Sequence, residues 1–579
     1  MAGRHIAVAD LLEGRLSSAE RRAAEAHLET CSQCRAALTA AQQRRAQERT
    51  EATAGELLSF ASRLVSGGLT LLAPTLREFP FVESKPEAVP VTKEEGPRFE
   101  PLRVLQPRVA RRAGRLRRLL GRFAVVLLLT ILVLLVPTPE GLSAEGHRAL
   151  AVFVFTGSIL ALEPVSLPIA ALMVPLATVA LGVGTAPVAF ETFSRPVVFL
   201  ILASLFLARG LQKHGLTRRI ALQTVVLTRG QVSRLLLGMM LIAAIFSMWV
   251  ENTATAAVLL PVALTVAKQV PDPKKAKGLL ILLVLGIAYS ASLGGMVTVM
   301  GAASNAVAAG FLQQIRPWSF VDWMFYGLPA FLLVFPLTYL ALSRIVKIEV
   351  RNLDIEQVQQ QVSEMGAITR AERELLATLA VAIVLWVSGS FVEPLLNLPE
   401  SLLSSAMIAV MAVAYLAIRN IIDWEDVKGV SWGIFLIIGA GLSLGETLGR
   451  TGATDWFAQL IMPLVSGPPL IVSMLLLVYL SALLTNVMNN TTIAAVFVPI
   501  LISLARSDPA FNPVQLVLPV TLATTFGYSL PSASGRMALI AASGIVDRTD
   551  MLRYGLVMTT ISAAVLGLFF YVLAALGLV

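Results

Sequence analysis

A chain of 579 residues that is 56% hydrophobic and only 14% charged, with a mean hydropathy of +0.75, is too poor in charge for a soluble domain, where about a quarter of residues are charged. Apolar runs of spanning length recur from about residue 123 onward, which makes the chain an all-α polytopic membrane protein. The net charge of +9 is largely a matter of location. Arg108, Arg111, Arg112, Arg115, Arg117, Arg118 and Arg122 all precede the first apolar run, where such a cluster sets orientation rather than binding nucleic acid.

Three regions follow one another: a small helical module over 1–56, a linker over 57–107 and a membrane domain over 108–579. MAGRHIAVADLLEG has no apolar core of the signal-peptide kind, so no secretory leader is expected. In the module, His27-x3-Cys31-x2-Cys34 closes an amphipathic helix whose start carries the capping box Ser17 and Glu20. Cys31 and Cys34 can chelate one ion from a tight turn, His27 lies one helical turn earlier, and His5 can supply a fourth ligand. A reduced CxxC or a redox pair is the competing reading. The pattern resembles the zinc finger of anti-sigma factors over about residues 5–40. That resemblance implies a structural zinc ion and a cytoplasmic protein partner, and zinc would fold a module too small for its own core. The linker holds Pro74, Pro80, Pro86, Pro90, Pro97, Pro101 and Pro107, too many for a packed domain.

Charge placement predicts the topology of the rest. With the arginine cluster in the cytoplasm, the first span exits near 138–145, and spans around 148–164 and 166–184 bring the chain back outside. A helix over 196–212 returns it to Lys213, Arg218, Arg219, Arg229 and Arg234. The next cationic cluster, Lys268, Lys274, Lys275 and Lys277, belongs on the same side, yet only 33 residues lie between the two. Two crossings need about 40 residues, so 235–267 is expected to dip in and return, turning at Glu251-Asn252-Thr253. Crossings over 278–312 and 321–343 follow, then a polar cytoplasmic stretch over 346–372. Spans over 373–392 and 401–418 and a helix from about 431 lead to a second hairpin over 467–506, now opening from outside. A crossing over 513–545 and a last span over 556–578 end the count at eleven crossings and two re-entrant hairpins. The N-terminus is expected in the cytoplasm and the C-terminus outside, with a bacterial inner membrane as the location.

The halves, about 147–345 and 373–579, read as an inverted repeat. ENTATAAVLLPV and NNTTIAAVFVPI agree at Asn, Thr, Ala, Ala, Val and Pro when aligned without gaps, their asparagines 252 and 490 standing 238 residues apart. FLILASLFLARGLQKHG (199–215) runs alongside FLIIGAGLSLGETLGRTG (435–452), and Tyr289-Ser290 matches Tyr528-Ser529. LGGMVTVMGAASNAVAAG (293–310) is expected to break its helix near 301–305, and GYSLPSASGRMALIAASG (527–544) near 531–535. Polar groups at such depth are costly unless they face protein, water or a ligand, and a duplicated pair marks a binding site near the bilayer midplane.

WVENTATAAVLLPVAL, GGMVTVMGAASNAV, DWEDVKGVSWGIFLIIGAGLSL and TNVMNNTTIAAVFVPI together resemble the divalent anion:sodium symporter family, transporters of dicarboxylates, tricarboxylates and sulfate. The likeness covers roughly residues 120–579. It implies a homodimer whose mobile transport domain carries substrate by an elevator motion. It also implies that the hairpin tips bind substrate carboxylates and line sodium sites through Asn252 and Thr253 in the first tip and Asn490 and Thr491 in the second. Amides and hydroxyls suit the task because they donate to a carboxylate and accept from a cation without a net charge of their own. Capping of broken helices is the competing reading for the same residues. Two departures stand out. Glu251 and Asn489 occupy positions where the family has serine. Asn305 fits a family asparagine in the first break, whereas the second break has Met537 beside Arg536. The Arg536 guanidinium can do electrostatically what a bound sodium ion does. Glu251, a carboxyl group at membrane depth, suits proton coupling, and an ion pair with Arg536 is its structural alternative.

The expected function is secondary active transport of small anions, di- or tricarboxylates, in which Glu251, Asn252, Asn305, Asn489 and Asn490 serve ion coupling. Exchange or proton coupling ranks slightly above sodium coupling. The competing class is a membrane-anchored regulator whose zinc module binds a sigma factor or another cytoplasmic partner. Eleven crossings with duplicated polar breaks exceed what such a regulator needs. An enzyme is not expected, since no acid/base or nucleophile constellation stands at a membrane boundary.

Overall fold

Hydrocarbon offers no partner to a peptide group, so an apolar chain must satisfy its own amides as helix. The computed structural model describes residues 106–579 apart from 509 and 510. Among them no strand occurs, and the one isolated bridge joins Gln231 to Asn352. The expected zinc module, with His5, His27, Cys31 and Cys34, and the linker up to residue 105 lie outside the described residues.

The first half opens with α1 (Gln106–Leu135), which carries the arginine cluster ahead of its apolar run. Next comes α2 (Ala144–Leu162), started by the Ser143 hydroxyl accepting from the Gly146 amide, and then α3 (Leu167–Ala180). A short α4 (Ala186–Glu191) leads into α5 (Pro196–Lys213) and α6 (Leu216–Leu227). The arms of the first expected hairpin are α7 (Val232–Ser247) and α8 (Asn252–Ala267). Beyond them α9 (Pro273–Gly295) breaks, passes through a 3-10 turn at Val299–Gly301, and resumes as α10 (Ala303–Leu312). The long α11 (Phe320–Ile345), opened by a capping box of Ser319 and Asp322, and the polar α12 (Glu356–Glu364) close the half.

In the second half come α13 (Arg370–Leu395), α14 (Ser405–Ile418), the short α15 (Trp424–Lys428), α16 (Trp432–Arg450) and α17 (Ala453–Ser466). The second expected hairpin is α18 (Leu470–Val487) with α19 (Asn490–Ser507). Then α20 (Pro513–Ala523) breaks and resumes as α21 (Gly535–Ala542), and α22 (Arg548–Ala575) follows.

The expected spans and hairpin arms fall on helices in the expected order, with α4, α6, α12, α15 and α17 in addition, but both breaks begin earlier than expected. The first runs over 296–302, so Asn305 stands in the first turn of α10 and not in the loop. Its glycines serve contact rather than looseness, because a Cβ on Gly294 would lie 2.0 Å from the Ala244 carbonyl oxygen. In the second half the α-helix stops at Ala523, where the hydroxyls of Thr524 and Thr525 donate to the Thr521 and Leu522 carbonyls and draw the turn tight.

Among the described residues nine helices are long and apolar enough to cross a membrane: α2, α5, α9, α11, α13, α16, α18, α19 and α22. The 16 residues of α7 and of α8 reach about 24 Å each, short of the roughly 30 Å of hydrocarbon. The arms of the second hairpin, at 18 residues each, reach about 27 Å. Two apolar cores form among the described residues. The smaller joins α1, α2 and α3 to Ala440, Leu444 and Leu448 of α16, and the larger surrounds the hairpins and the broken helices.

A buried ion pair fastens the halves together. Arg219 on α6 donates to Glu372 at 2.6 Å and to the carbonyls of Gly366 and Met365 at 2.8 and 3.0 Å, and both side chains are nearly inaccessible. Leaving Arg219 without its carboxylate, as in Glu372→Ala, is expected to cost about 3–5 kcal/mol. The readout is a lowered unfolding temperature in detergent, with the double variant Arg219→Met/Glu372→Leu recovering most of the loss.

Candidate functional site

A helix that begins inside the membrane exposes its first amides, and something must accept from them. At the start of α8 the acceptor is Glu251. One of its carboxylate oxygens takes the amides of Thr253 and Ala254 at 2.9 and 3.1 Å, and the other takes the Thr253 hydroxyl at 2.8 Å. At the start of α19 the acceptor is Asn489, whose side-chain oxygen takes the Thr491 amide at 2.9 Å. The caps are thus Glu251 and Asn489 and not the asparagines and threonines for which capping was the competing reading, which leaves those asparagines free for other partners.

Those asparagines are seated alike. Asn252 is buried, with the Ser247 hydroxyl oxygen 2.5 Å from its amide. Asn490 receives the hydroxyl of Thr485, which also reaches the Thr524 carbonyl at 2.7 Å. In both halves the hydroxyl comes from the fifth residue before the asparagine. A second contact repeats as well. Thr298 in the first break donates to the Met248 carbonyl at 2.5 Å, and Ser532 in the second donates to the Asn486 carbonyl at 3.2 Å. Met248 and Asn486 each precede a tip asparagine by four residues.

Oxygens ring the Asn252 amide. Besides Ser247 Oγ, the carbonyls of Ala291 and Gly301 lie 3.1 and 3.0 Å away, so with its nitrogen turned inward the amide donates to them. The packing around it is tight: a Cβ on Gly295 would stand 2.2 Å from the Asn252 side-chain oxygen.

The two breaks are bridged in the same manner by different chemistry. Asn305 donates its amide nitrogen to the Gly295 and Thr298 carbonyls, both at 2.8 Å, while its oxygen is buried without a partner. Arg536 donates one guanidinium nitrogen to the Thr525 carbonyl at 2.9 Å, and its Nε is buried without a partner. Arg536 is 1% exposed, so the charge is built into the protein. Met537, its neighbour, is buried and apolar.

The halves meet here. A Cβ on Gly535 would lie 2.7 Å from the Thr253 hydroxyl, which sets the first tip against the helix turn that carries Arg536. Ser304 receives the Thr524 hydroxyl at 3.1 Å, and the rings of Tyr289 and Tyr528 pack at 4.7 Å between centroids. No ion pair joins Glu251 to Arg536 among the described residues, so the carboxylate acts as a cap and the guanidinium as a bridge. Thr491 is buried in the first turn of α19. Reasoning from the tips alone passed over Ser247, Thr485, Thr298 and Ser532. The signal for the first two was there, since the alignment that pairs Asn252 with Asn490 pairs Ser247 with Thr485.

The chain is similar in sequence to known membrane transporters. The family model of the sodium:sulfate symporter transmembrane region matches residues 117–576. A zinc-finger family model matches residues 6–35, beginning one residue after His5. An uncharacterized transporter of Haemophilus influenzae is 31% identical over 73% of this chain and 90% of its own length. The sodium-dependent dicarboxylate transporter SdcS of Staphylococcus saprophyticus is 25% identical over 77% of this chain and 89% of its own. A solved structure, the Alcanivorax borkumensis YdaH transporter, aligns with 80% of this chain and 98% of its own at a TM-score of 0.47 and 14% identity. Removing either hydroxyl that seats a tip asparagine, by Ser247→Ala or Thr485→Val, is expected to cut uptake in proteoliposomes by about tenfold, the worth of one buried hydrogen bond.

Proposed function

Because the chain belongs to the sodium:sulfate symporter family of membrane transporters, we propose that it is a secondary active transporter of small anions, di- or tricarboxylates; the name of its relative SdcS, a sodium-dependent dicarboxylate transporter, supports the dicarboxylate part of this reading. Asn252, Thr253, Asn490 and Thr491 bind the substrate. The observation that carries this reading is the doubled set of contacts around Asn252 and Asn490. A fold that builds the same costly polar turn twice, and joins the two at one place, is equipping a binding site.

In this reading the halves are inverted repeats of one elevator-type protomer with eleven crossings and two hairpins, working as a homodimer in a bacterial inner membrane. The N-terminus is cytoplasmic and the C-terminus outside. The first half takes up a sodium ion as co-substrate. Asn252, the carbonyls of Ala291 and Gly301, and the unpartnered oxygen of Asn305 supply hard oxygen ligands there. In the second half Arg536 stands as a permanent cation among carbonyls, so that half needs no second ion. Glu251 and Asn489 shape the tips as caps, which weakens the case for a proton carried on Glu251. The zinc module, with His5, His27, Cys31 and Cys34 as ligands, binds a cytoplasmic protein that reports on or gates transport. The match of residues 6–35 to a zinc-finger model supports the zinc ion in this reading.

Counterflow of labelled succinate, citrate and sulfate in proteoliposomes, with and without sodium and with and without a pH gradient, tests the scheme. Sodium-stimulated uptake of a carboxylate is expected, and Asn490→Ala is expected to abolish it while the protein still assembles. Arg536→Asn gives the second half the neutral bridge of the first. It is expected to lower apparent substrate affinity by about tenfold or more and to steepen the dependence of uptake on sodium. Unchanged affinity together with unchanged sodium dependence would remove Arg536 from the site.

A further inference from the structure

Away from the hairpin tips, the described residues enclose a half-open cavity of about 490 Å³. It lies where α10 and α22 end and α11 and α20 begin, so each half of the chain supplies part of its wall. Apolar surface from Leu312, Ile315, Val514 and Leu578 shares the lining with polar groups. Ile315 and Leu578 are exposed, as is Phe325 next to the lining Tyr326. In a membrane domain, such large apolar side chains at the surface face lipid.

One polar group in the lining is left without a partner. Trp318 is 6% exposed, yet its indole N–H meets no acceptor. The other polar ring of the cavity is satisfied, since the Tyr326 hydroxyl donates to the Leu578 carbonyl at 3.1 Å. Trp323 and Trp386, also buried, donate to the carbonyls of Met296 and Ser405, both at 3.0 Å. A buried N–H without an acceptor is costly, and here it borders a space that a ligand can enter.

The surroundings of that N–H fix the ring and set the charge. Trp318 stacks on Tyr326 with 10° between the planes, and the Arg316 guanidinium stands 4.5 Å from its ring centre. Arg316 is exposed at the rim and gives one N–H to Asp322 at 3.2 Å. A guanidinium has five donors, so that pair leaves capacity for a second anion. Nor does Arg316 serve orientation. Arg344 in the last turn of α11 and Arg548 at the start of α22 lie at the opposite ends of their helices, on the cytoplasmic side in the topology proposed above.

We propose that this cavity holds an anionic phospholipid. A phosphodiester oxygen accepts from Trp318 Nε1 within reach of the Arg316 charge, and hydrocarbon lies along Leu312, Ile315, Val514 and Leu578. One molecule touches both halves of the chain and so stabilises their contact at this end. The site is separate from the tips and stands whichever anion they bind.

The full chain, freed of lipid in detergent, is titrated with dioleoylphosphatidylglycerol, with dioleoylphosphatidylcholine and with glycerol 3-phosphate while its unfolding temperature is followed. The anionic lipid is expected to raise that temperature by about 2 °C or more beyond the zwitterionic one, as a ligand of the folded state does. Trp318→Phe keeps a ring and removes the N–H, and Arg316→Gln removes the charge. Each is expected to lose most of that difference. An equal rise with the two lipids, or a difference that both variants keep, overturns the proposal. So does glycerol 3-phosphate matching the anionic lipid, which would make the ligand a soluble phosphate ester. Native mass spectrometry gives an independent reading at Arg316, an exposed position where folding is not at stake. Arg316→Gln should retain fewer phosphatidylglycerol molecules than the wild type, and an unchanged number overturns the proposal.

Discussion

A helix interrupted inside a membrane leaves amides and carbonyls that neither lipid nor water will satisfy, and this protein interrupts two helices and turns two hairpins in one place. Every one of those interruptions is answered by a particular side chain. Glu251 and Asn489 take the amides at the tips, Ser247 and Thr485 hold the asparagines, and Thr298 and Ser532 reach back to the arms. Asn305 and Arg536 tie each broken helix to its own carbonyls. Remove these and the backbone would have to close up as ordinary helix, which would erase the site. The side chains proposed to bind substrate and those that hold the backbone are thus one hydrogen-bonded network.

Within that network the halves have kept geometry and exchanged charge. Asn305 and Arg536 do equivalent work, but one is a neutral amide with a spare acceptor and the other a cation with a spare donor. Glu251 and Asn489 do equivalent work, but one is an anion. Substitutions of this kind are tolerated only because each charge is neutral in effect: it lies against several groups of opposite polarity and close to its counterpart in the other half.

Much of this was legible in the sequence. Two cationic clusters separated by too few residues for two crossings located the first hairpin at 235–267, and the arms α7 and α8 cover that range with their turn at 248–251. The asparagines 238 residues apart then located the second. What composition could not give was the status of individual polar groups. A glutamate inside an apolar run looks like a proton carrier, and only the local turn shows three donors converging on it. The glycines of 293–301 read only as part of a helix break, whereas Gly295 is needed because Asn252 presses against it. The Arg219–Glu372 pair joins residues 153 positions apart with no periodic pattern to betray it.

The distribution of cores carries the reasoning one step further. The site lies wholly within the larger apolar core, and α16 is the helix shared with the smaller one: Leu442 belongs to the first, while Ala440, Leu444 and Leu448 belong to the second. On this helix the contacts are made at glycine. A Cβ would lie 2.3 Å from the Phe193 ring at Gly439, 2.9 Å from Ala495 at Gly441 and 2.1 Å from the Phe311 ring at Gly445. In a membrane, where no water drives helices together, small residues are what allow such close approach. If substrate is carried by displacing one core against the other, as in the elevator scheme proposed above, α16 is the surface along which it happens. Its side toward α10 and α19 then offers shallow seats for Phe311 and Ala495 in place of interlocked side chains. Such a seam resists separation through close contact yet has few protruding groups to obstruct sliding. The polar network that defines the site, being confined to one core, could then travel intact.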